Sequence, residues 1–299
     1  MSRALPINFY GFWTGFGLDD FLSYHPYLKD SHQLTLSDEP ELAICGPFAD
    51  KHAPPTQAIK VFFTGENVTP AMDRFDWAMS FTHMNPPNPR HLRLPMYAWY
   101  LRRFSGGLER LIRQPGERAG LQRPRFCNFV FRNKECQERI ELFRKLSSYK
   151  HIDAPGKCMN NMPGFDESPD GDAPAKWRFL RNYKFTIAYE NAQGPGYTTE
   201  KIADAMAARS IPIYWGNPLV HLDFNPKSFL NRHDFDSDEA FIAHIIRVDQ
   251  DDELYTKIFS EPYWHNNAIP EAINDSTCLA FWNKVFASRA LARHTSEVY

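Results

Sequence analysis

Hydrophobic residues in the first third of the chain occur in short runs that end at turn-forming residues. Such runs are typical of strands, and they predict strands over residues 5–9, 42–45 and 59–64. A loop rich in proline and asparagine follows at 85–90, and a helix-like pattern covers 94–111. The first third is therefore predicted to consist of short strands and loops that lead into a helix.

The pattern becomes more regular after residues 113–124, a polar stretch with glycine and proline that we interpret as an interdomain linker. Beyond this linker, apolar runs alternate with segments of helical spacing. Strands are predicted at 126–131, 183–189 and 211–215, and helices at 135–146, 199–209 and 238–248. Strands that alternate with helices form parallel sheets covered on both faces, and ligands bind outside the carboxyl ends of such strands.

Composition narrows the class of protein. Of the 299 residues, 43% are hydrophobic and 23% are charged, so the chain is globular and long enough for two domains. The net charge of −2 argues against nucleic acid as the main partner. The sequence contains no apolar run long enough to span a membrane and no signal peptide, so we expect a cytoplasmic protein, with peripheral contact with the inner membrane left open. Its 5 scattered cysteines are expected to be reduced thiols.

One turn combines several groups that suit an anionic ligand. Residues 190–197 follow a predicted strand and precede a predicted helix, and they contain Glu190, Asn191 and Tyr197. Glu200 and Lys201 open the helix, whose N-terminus attracts negative charge. The alternative is an ordinary, well-capped connection between strand and helix. The turn has neither the Gly-x-Gly-x-x-Gly pattern nor a Walker A loop, so the two common nucleotide-binding classes do not apply.

Carboxylates elsewhere are candidates for catalysis or metal binding. Glu66 follows the predicted strand at 59–64, where active sites of α/β proteins form, although it also suits an ordinary turn. Three Asp-x-Asp triplets occur, at 170–172, 236–238 and 249–251. Each could hold a divalent metal, but their polar surroundings are more typical of acidic surface. No His-Glu-x-x-His or Gly-x-Ser-x-Gly pattern occurs, so a zinc protease or serine hydrolase has no support.

Longer motifs resemble a known family. Five stretches carry this resemblance: 185–202, 210–218, 223–229, Thr64-Gly-Glu-Asn67 and Arg90-His-Leu-Arg-Leu-Pro-Met-Tyr97. Together they resemble the family-10 α1,3/α1,4-fucosyltransferases, and most closely the bacterial members. The resemblance implies a GT-B fold, in which two Rossmann-like domains face a cleft. It assigns residues 1–118 to an acceptor-binding domain and 119–299 to a GDP-fucose-binding domain.

The resemblance also implies chemistry and residue roles. A sugar hydroxyl attacks the anomeric carbon of GDP-fucose with inversion, no metal is required, and Mn²⁺ could only stimulate by speeding release of GDP. Glu66 matches the proposed catalytic base, with Glu200 as its rival, and Arg139 and Lys201 match residues that bind the diphosphate. Trp13 and Glu66 would contact the acceptor. Donor-binding positions fall on Asn133, Arg139, Glu190, Asn191, Tyr197, Glu200 and Lys201, although Arg132 stands beside Asn133 where the family commonly has serine.

The resemblance indicates the acceptor only as a default expectation. We expect α1,3 transfer of fucose to the N-acetylglucosamine of N-acetyllactosamine, which makes Lewis-type glycans of a bacterial lipopolysaccharide or capsule. The choice between α1,3 and α1,4 linkage stays open. The alternatives are a GT-B transferase that uses another nucleotide sugar and a non-catalytic module that binds glycans.

Overall fold

The computed structural model describes residues 4–49, 54–55, 57–114, 123–165 and 174–296. The chain forms two compact units, one made of Met1–Arg103 with Pro270–Tyr299 and the other of Phe104–Ile269. Each unit is built on one parallel sheet, so the predicted α/β class is confirmed. The linker predicted at 113–124 falls largely outside the described residues.

The first unit contains a six-stranded sheet with the order β2-β1-β3-β4-β5-β6. Each neighbouring pair is parallel, and chain order reverses direction between β1 and β3. Apolar side chains on both faces of the central strands are buried, which explains why these segments were recognisable as strands. The strands are β1 (Leu5–Tyr10), β2 (Leu34–Leu36), β3 (Leu42–Cys45), β4 (Ile59–Phe63), β5 (Trp77–Ser80) and β6 (His91–Arg93).

The second unit contains a five-stranded parallel sheet with the order β11-β10-β9-β7-β8. From β7 the chain adds β8 on one side and β9 on the other, so the reversal lies between β7 and β9. An open parallel sheet offers a crevice at such a reversal, at the carboxyl ends of its strands. The strands are β7 (Arg125–Asn128), β8 (Ile152–Asp153), β9 (Tyr183–Tyr189), β10 (Ile211–Trp215) and β11 (Leu230–Asn231).

Both units also contain helices. The first unit holds α1 (Leu18–Tyr24), α2 (Met96–Leu101) and α8 (Asp275–Ser296), and the second holds α3 (Gln137–Ser147), α4 (Ala175–Leu180), α5 (Glu200–Ala207), α6 (Asp238–Gln250) and α7 (Asp252–Ser260). The helix predicted over 94–111 is wrong in its middle, because α2 ends at Leu101 and a 3₁₀ helix resumes at Gly107. Gly106 separates them with a φ of 82°.

The last helix moves the boundary between the units. We predicted that residues 119–299 form one domain, but in the described structure α8 belongs to the first unit. The ring of Trp282 packs edge-on against Phe21 at 5.4 Å, and Arg102 donates a hydrogen bond of 2.8 Å to Asp275. Contacts between residues so far apart in sequence leave no local pattern, so the boundary could not be read from the linker.

None of the helices in the described part of the chain is long and apolar enough to cross a membrane. The five cysteines are unbridged and buried. Burial raises the pKa of the Cys45 thiol to about 12, so this thiol stays protonated at neutral pH.

Candidate functional site

A cavity of about 700 Å³ opens at the carboxyl edge of the second sheet. Its walls come from the segments that follow β7, β8 and β9 and from the first residues of α4 and α5. These three strands flank the point where chain order reverses, so the cavity occupies the crevice expected of an open parallel sheet.

Cationic side chains dominate the polar lining of this cavity. The described lining residues include one carboxylate, that of Glu200, and five cations, which are Arg132, Arg139, Lys157, Lys176 and Lys201. A cavity with this charge suits an anionic ligand such as a phosphate or diphosphate, for which positive side chains are the usual partners.

Glu190 lies behind the cavity rather than in it. Its side chain is fully buried at the end of β9. The backbone N–H of Thr199 donates to its Oε1 at 2.8 Å, and the Thr199 hydroxyl donates to its Oε2 at 2.6 Å. The ammonium of Lys201 donates to the same Oε2 at 3.1 Å and to the Thr199 hydroxyl at 2.8 Å. Glu190 therefore supports the start of α5 and holds Lys201 in place.

The space for Glu190 depends on one glycine of the neighbouring loop. Gly216 follows β10 with a φ of 148°, and a Cβ atom there would lie 2.4 Å from Cγ of Glu190. Any larger residue would push the carboxylate away from Lys201. The buried position of Glu190 is thus decided by two adjacent strands, not by its own turn.

The carboxylates around Lys201 have opposite pKa shifts. Burial raises the pKa of Glu190, and Lys201 only partly offsets that effect. Burial also acts to raise the pKa of Glu200, but the charges of Lys201 and Lys176 outweigh it and the pKa lies below its usual value. The pKa of Lys201 is raised, because Glu190 and Glu200 overcome the opposing effect of burial. Glu200 and Lys201 are therefore both charged at neutral pH.

Arg139 is a buried cation in the first turn of α3. Its side chain lies over the ring of Phe131, with the guanidinium carbon 4.4 Å from the ring centroid, and its Nη2 donates to Oδ1 of Asn191 at 2.6 Å. Its Nε has no hydrogen-bond partner, and no carboxylate in the described residues pairs with it. A buried guanidinium without a counterion is poorly compensated, and an anion in the cavity would supply the missing charge.

The remaining predicted donor residues divide into two groups. Asn133 and Asn191 are exposed and line the cavity. Tyr197 is buried and is not among the residues that line the cavity. Five of the seven predicted donor residues therefore line one cavity, and the buried Glu190 and Tyr197 do not.

Glu66 and Trp13 belong to the first unit, so the structure does not bring them into this cavity. Glu66 is exposed just beyond β4, and its backbone N–H donates to the buried Thr64 hydroxyl at 2.9 Å. Gly65 lets this turn pass the Trp99 ring, since a Cβ there would lie 2.6 Å from a ring carbon. Trp13 follows β1 and is 52% exposed.

Two lysines of the cavity were not predicted from the sequence. Lys157 follows β8, and Lys176 opens α4. Neither belongs to a recognisable motif; only the position after a short parallel strand could have pointed to Lys157. The ammonium of Lys176 lies 2.6 Å from Oδ2 of the fully buried Asp204.

The Asp-x-Asp triplets serve local structure where they are described. Asp251 caps α7 by accepting the Leu254 N–H at 2.9 Å, and Asp249 is buried against Lys150 and Lys184. Asp238 pairs with Arg232 at 2.7 Å. The triplet at 170–172 lies outside the described residues. Within the described ranges, no group of three or more potential ligands from His, Cys, Asp and Glu is placed to hold a metal ion.

Two family models match the chain. Residues 122–289 match the C-terminal part of glycosyltransferase family 10 (fucosyltransferase), and residues 7–100 match the N-terminal domain of α-(1,3)-fucosyltransferase FucT. Together they span both units and include the cavity as well as Glu66 and Trp13.

Curated relatives agree with these matches over part of their length. An α-(1,3)-fucosyltransferase FucT of Helicobacter pylori is 32% identical over 216 residues, which is 63% of this chain and 44% of that protein. The human GDP-fucose protein O-fucosyltransferase 3 is 29% identical over 196 residues, or 62% of this chain and 39% of that protein. The aligned region is thus less than half the length of either relative.

Solved structures extend the likeness to nearly the whole chain. A crystal structure of an α1,3-fucosyltransferase covers 94% of this chain and 90% of its own, with 27% identity and a TM-score of 0.78. The crystal structure of an α1,3-fucosyltransferase with GDP-fucose gives 26% identity and a TM-score of 0.76 over 95% of this chain and 91% of its own. These likenesses confirm the GT-B assignment.

Proposed function

This chain belongs to glycosyltransferase family 10, and on that premise we propose that it transfers fucose from GDP-fucose to a hydroxyl of an oligosaccharide, with inversion at the anomeric carbon. The observation that carries the proposal is the cationic cavity of the second unit, where five arginine and lysine side chains surround a space suited to a diphosphate. The match of this region to the family's C-terminal part, at 122–289, supports the same assignment.

The diphosphate of the donor is proposed to bind Arg139 and Lys201. The Nε of Arg139 has no hydrogen-bond partner in the described part of the chain, and Lys201 is held at the wall by Glu190. As the bond from fucose to GDP breaks, negative charge grows on the leaving diphosphate, and fixed cations stabilise it without reorganising. Glu200 is proposed to accept hydrogen bonds from hydroxyl groups of the donor.

Glu66 is proposed as the catalytic base. The base takes the proton of the acceptor hydroxyl while that oxygen attacks the anomeric carbon, so one bond forms as the bond to GDP breaks. The Glu66 side chain is exposed and has no hydrogen-bond partner in the described part of the chain. Glu200 is the weaker candidate, because Lys201 and Lys176 hold its pKa below its usual value and reduce its basicity.

No metal is required in this proposal, since Arg139 and Lys201 supply the charge that a cation would otherwise bring. Turnover should survive treatment with EDTA. Stimulation by Mn²⁺ would be compatible, because a cation can speed release of GDP. Activity that is abolished by EDTA and restored by Mn²⁺ would contradict the proposal.

The acceptor is proposed to be N-acetyllactosamine, fucosylated at the 3-position of its N-acetylglucosamine to give a Lewis-type glycan. The supporting observations are the match to the FucT N-terminal domain over 7–100 and the exposed ring of Trp13, on which the apolar face of a sugar can stack. Glycans of a bacterial lipopolysaccharide or capsule are the proposed setting.

The deciding experiment incubates the protein with GDP-fucose and a panel of acceptors, and reads the linkage by NMR. The panel contains lactose, the type 1 and type 2 disaccharides, and a serine- and threonine-containing protein domain, while GDP-mannose and a UDP-sugar serve as competing donors. We expect α1,3-fucosylated type 2 disaccharide. Transfer from another donor would identify a different GT-B transferase, and acceptor binding without turnover would identify a glycan-binding module.

A further inference from the structure

The cavity contains a second lysine that no sequence motif singles out. Lys176 lies in the first turn of α4 and lines the same cavity as Lys201. Its side chain is 26% exposed, so it is held at the cavity wall with a part still accessible. Lys176 therefore adds a charged group to the cavity that the motifs do not account for.

The two lysines are supported in the same way. Lys201 is held by Glu190, which is fully buried and also accepts the Thr199 hydroxyl. Lys176 is held at 2.6 Å by Asp204, which is equally buried. In each case the carboxylate has a second donor and does not line the cavity.

Trp177 is that second donor for Asp204. Its indole N–H donates to Oδ1 at 2.6 Å while the Lys176 ammonium donates to Oδ2. Both carboxylate oxygens are thus occupied from α4, and the carboxylate itself comes from α5. This arrangement restrains the Lys176 side chain before any ligand arrives, which lowers the entropy cost of binding through it.

The charge of Lys176 acts on another group that lines the cavity. It helps to hold the pKa of Glu200 below its usual value, together with Lys201. Among the described residues that line the cavity, Glu200 is the single carboxylate. An ammonium group carries three N–H donors, and Asp204 takes only part of that capacity.

A purely structural role would not require this position. A buried ion pair is costly to desolvate, and well-packed apolar residues of similar volume often serve stability equally well or better. Lys176 nevertheless lies at the wall of a cavity that is already rich in cations. There its charge makes the electrostatic potential more positive and so favours binding of an anion.

We propose that Lys176 is a second lysine that binds the phosphates of the nucleotide-sugar donor, with Asp204 as the residue that positions it. This inference rests on the proposed function, and it adds a contact from α4 to those from α3 and α5. Lys176 and Lys201 then bind the leaving diphosphate from two different helices.

The test compares GDP affinities by calorimetry. Lys176→Gln alone would leave Asp204 buried without its partner, so the informative variant is Lys176→Gln with Asp204→Asn, in which Asn still accepts from Trp177. We expect this double variant to keep its fold by circular dichroism and to bind GDP about 5- to 30-fold more weakly. Lys145→Gln removes an exposed lysine of the same unit and should leave GDP affinity unchanged.

A folded double variant with wild-type GDP affinity would overturn the assignment of Lys176. If the Glu190→Gln, Lys201→Gln double variant nevertheless binds GDP more weakly than wild type, the proposed function survives and only this inference fails. If the wild-type protein binds no GDP, the proposed function fails and this inference fails with it.

A second measurement needs no variant. Reductive methylation of the wild-type protein, read by mass spectrometry with and without GDP, should show protection of Lys176 and Lys201 but not of Lys145. Protection of Lys201 alone would also overturn the assignment.

Discussion

Replacement of Lys201 by glutamine separates its role in stability from its role in binding. The ammonium compensates the fully buried Glu190 at 3.1 Å. Removing one partner of a buried pair costs about 3–5 kcal/mol of unfolding free energy, because the other charge is left uncompensated. Glutamine is similar in size, so the loss is mainly one of charge. Lys201→Gln is therefore expected to destabilise the protein by this amount near pH 8.

The loss should depend on pH in a definite direction. Burial already raises the pKa of Glu190, and without Lys201, which lowers it, the folded-state pKa rises further above the unfolded value of about 4.3. The folded variant then holds a proton that the unfolded chain releases. Relative to wild type, the stability of the variant falls as pH rises from the folded-state pKa of Glu190 in the wild type towards its higher folded-state pKa in the variant. The slope is at most about 1.4 kcal/mol per pH unit, because one group titrates.

The assay is urea unfolding at several values from pH 5 to pH 8, with GDP affinity measured on the same samples. The matched control is Glu190→Gln combined with Lys201→Gln, which removes both charges. It should recover wild-type stability within about 1 kcal/mol and lose the pH dependence. GDP should bind about 10- to 100-fold more weakly to both variants.

Two results would refute this reasoning. The first is a Lys201→Gln variant that is as stable as wild type across the whole pH range. The second is a double variant that is no more stable than the single one. Either result would mean that Glu190 and Lys201 do not compensate each other in the folded protein.

Three further variants test other parts of the geometry. Arg139→Met keeps the packing on Phe131 and removes a cation that has no carboxylate partner among the described residues. The free energy of unfolding should therefore change by less than about 1 kcal/mol, while GDP affinity falls about 10- to 100-fold. A loss of stability well above about 1 kcal/mol would contradict this expectation. Glu66→Gln should lower kcat by about 10²–10⁴ with unchanged GDP affinity, and an active Glu66→Gln beside an inactive Glu200→Gln would assign the base to Glu200. Gly216→Ala should cost about 1–3 kcal/mol, read by thermal unfolding; wild-type stability would show that Glu190 moves without cost.

Strands that are apolar on both faces were predictable from sequence alone. The runs predicted at 183–189 and 211–215 coincide with β9 and β10, because a central parallel strand buries both faces and is therefore mostly apolar. Short strands such as β6 and β8 were missed, since two or three residues form a strand only when a neighbouring strand pairs with them. Helix existence was predicted better than helix ends, as α3 and α6 show.

The candidate site was predictable where it is local in sequence. Asn191 in the turn after β9 and Glu200 and Lys201 at the start of α5 lie close together in sequence, and the structure brings all three to one cavity. Arg139 entered the prediction only through the family resemblance. The sheet order, which places β7 beside β9, is what carries it to Asn191.

The sequence by itself determined that a carboxylate would stand at the end of β9 and a lysine at the start of α5. Only the tertiary structure decided that Glu190 points into the core, where Gly216 after β10 leaves room for it, and that Lys176 of a different helix reaches the same cavity as Lys201. The physical reason is that a charge becomes useful or costly according to what surrounds it. Those surroundings come from segments that are distant in sequence and meet only when the sheet and its helices have packed.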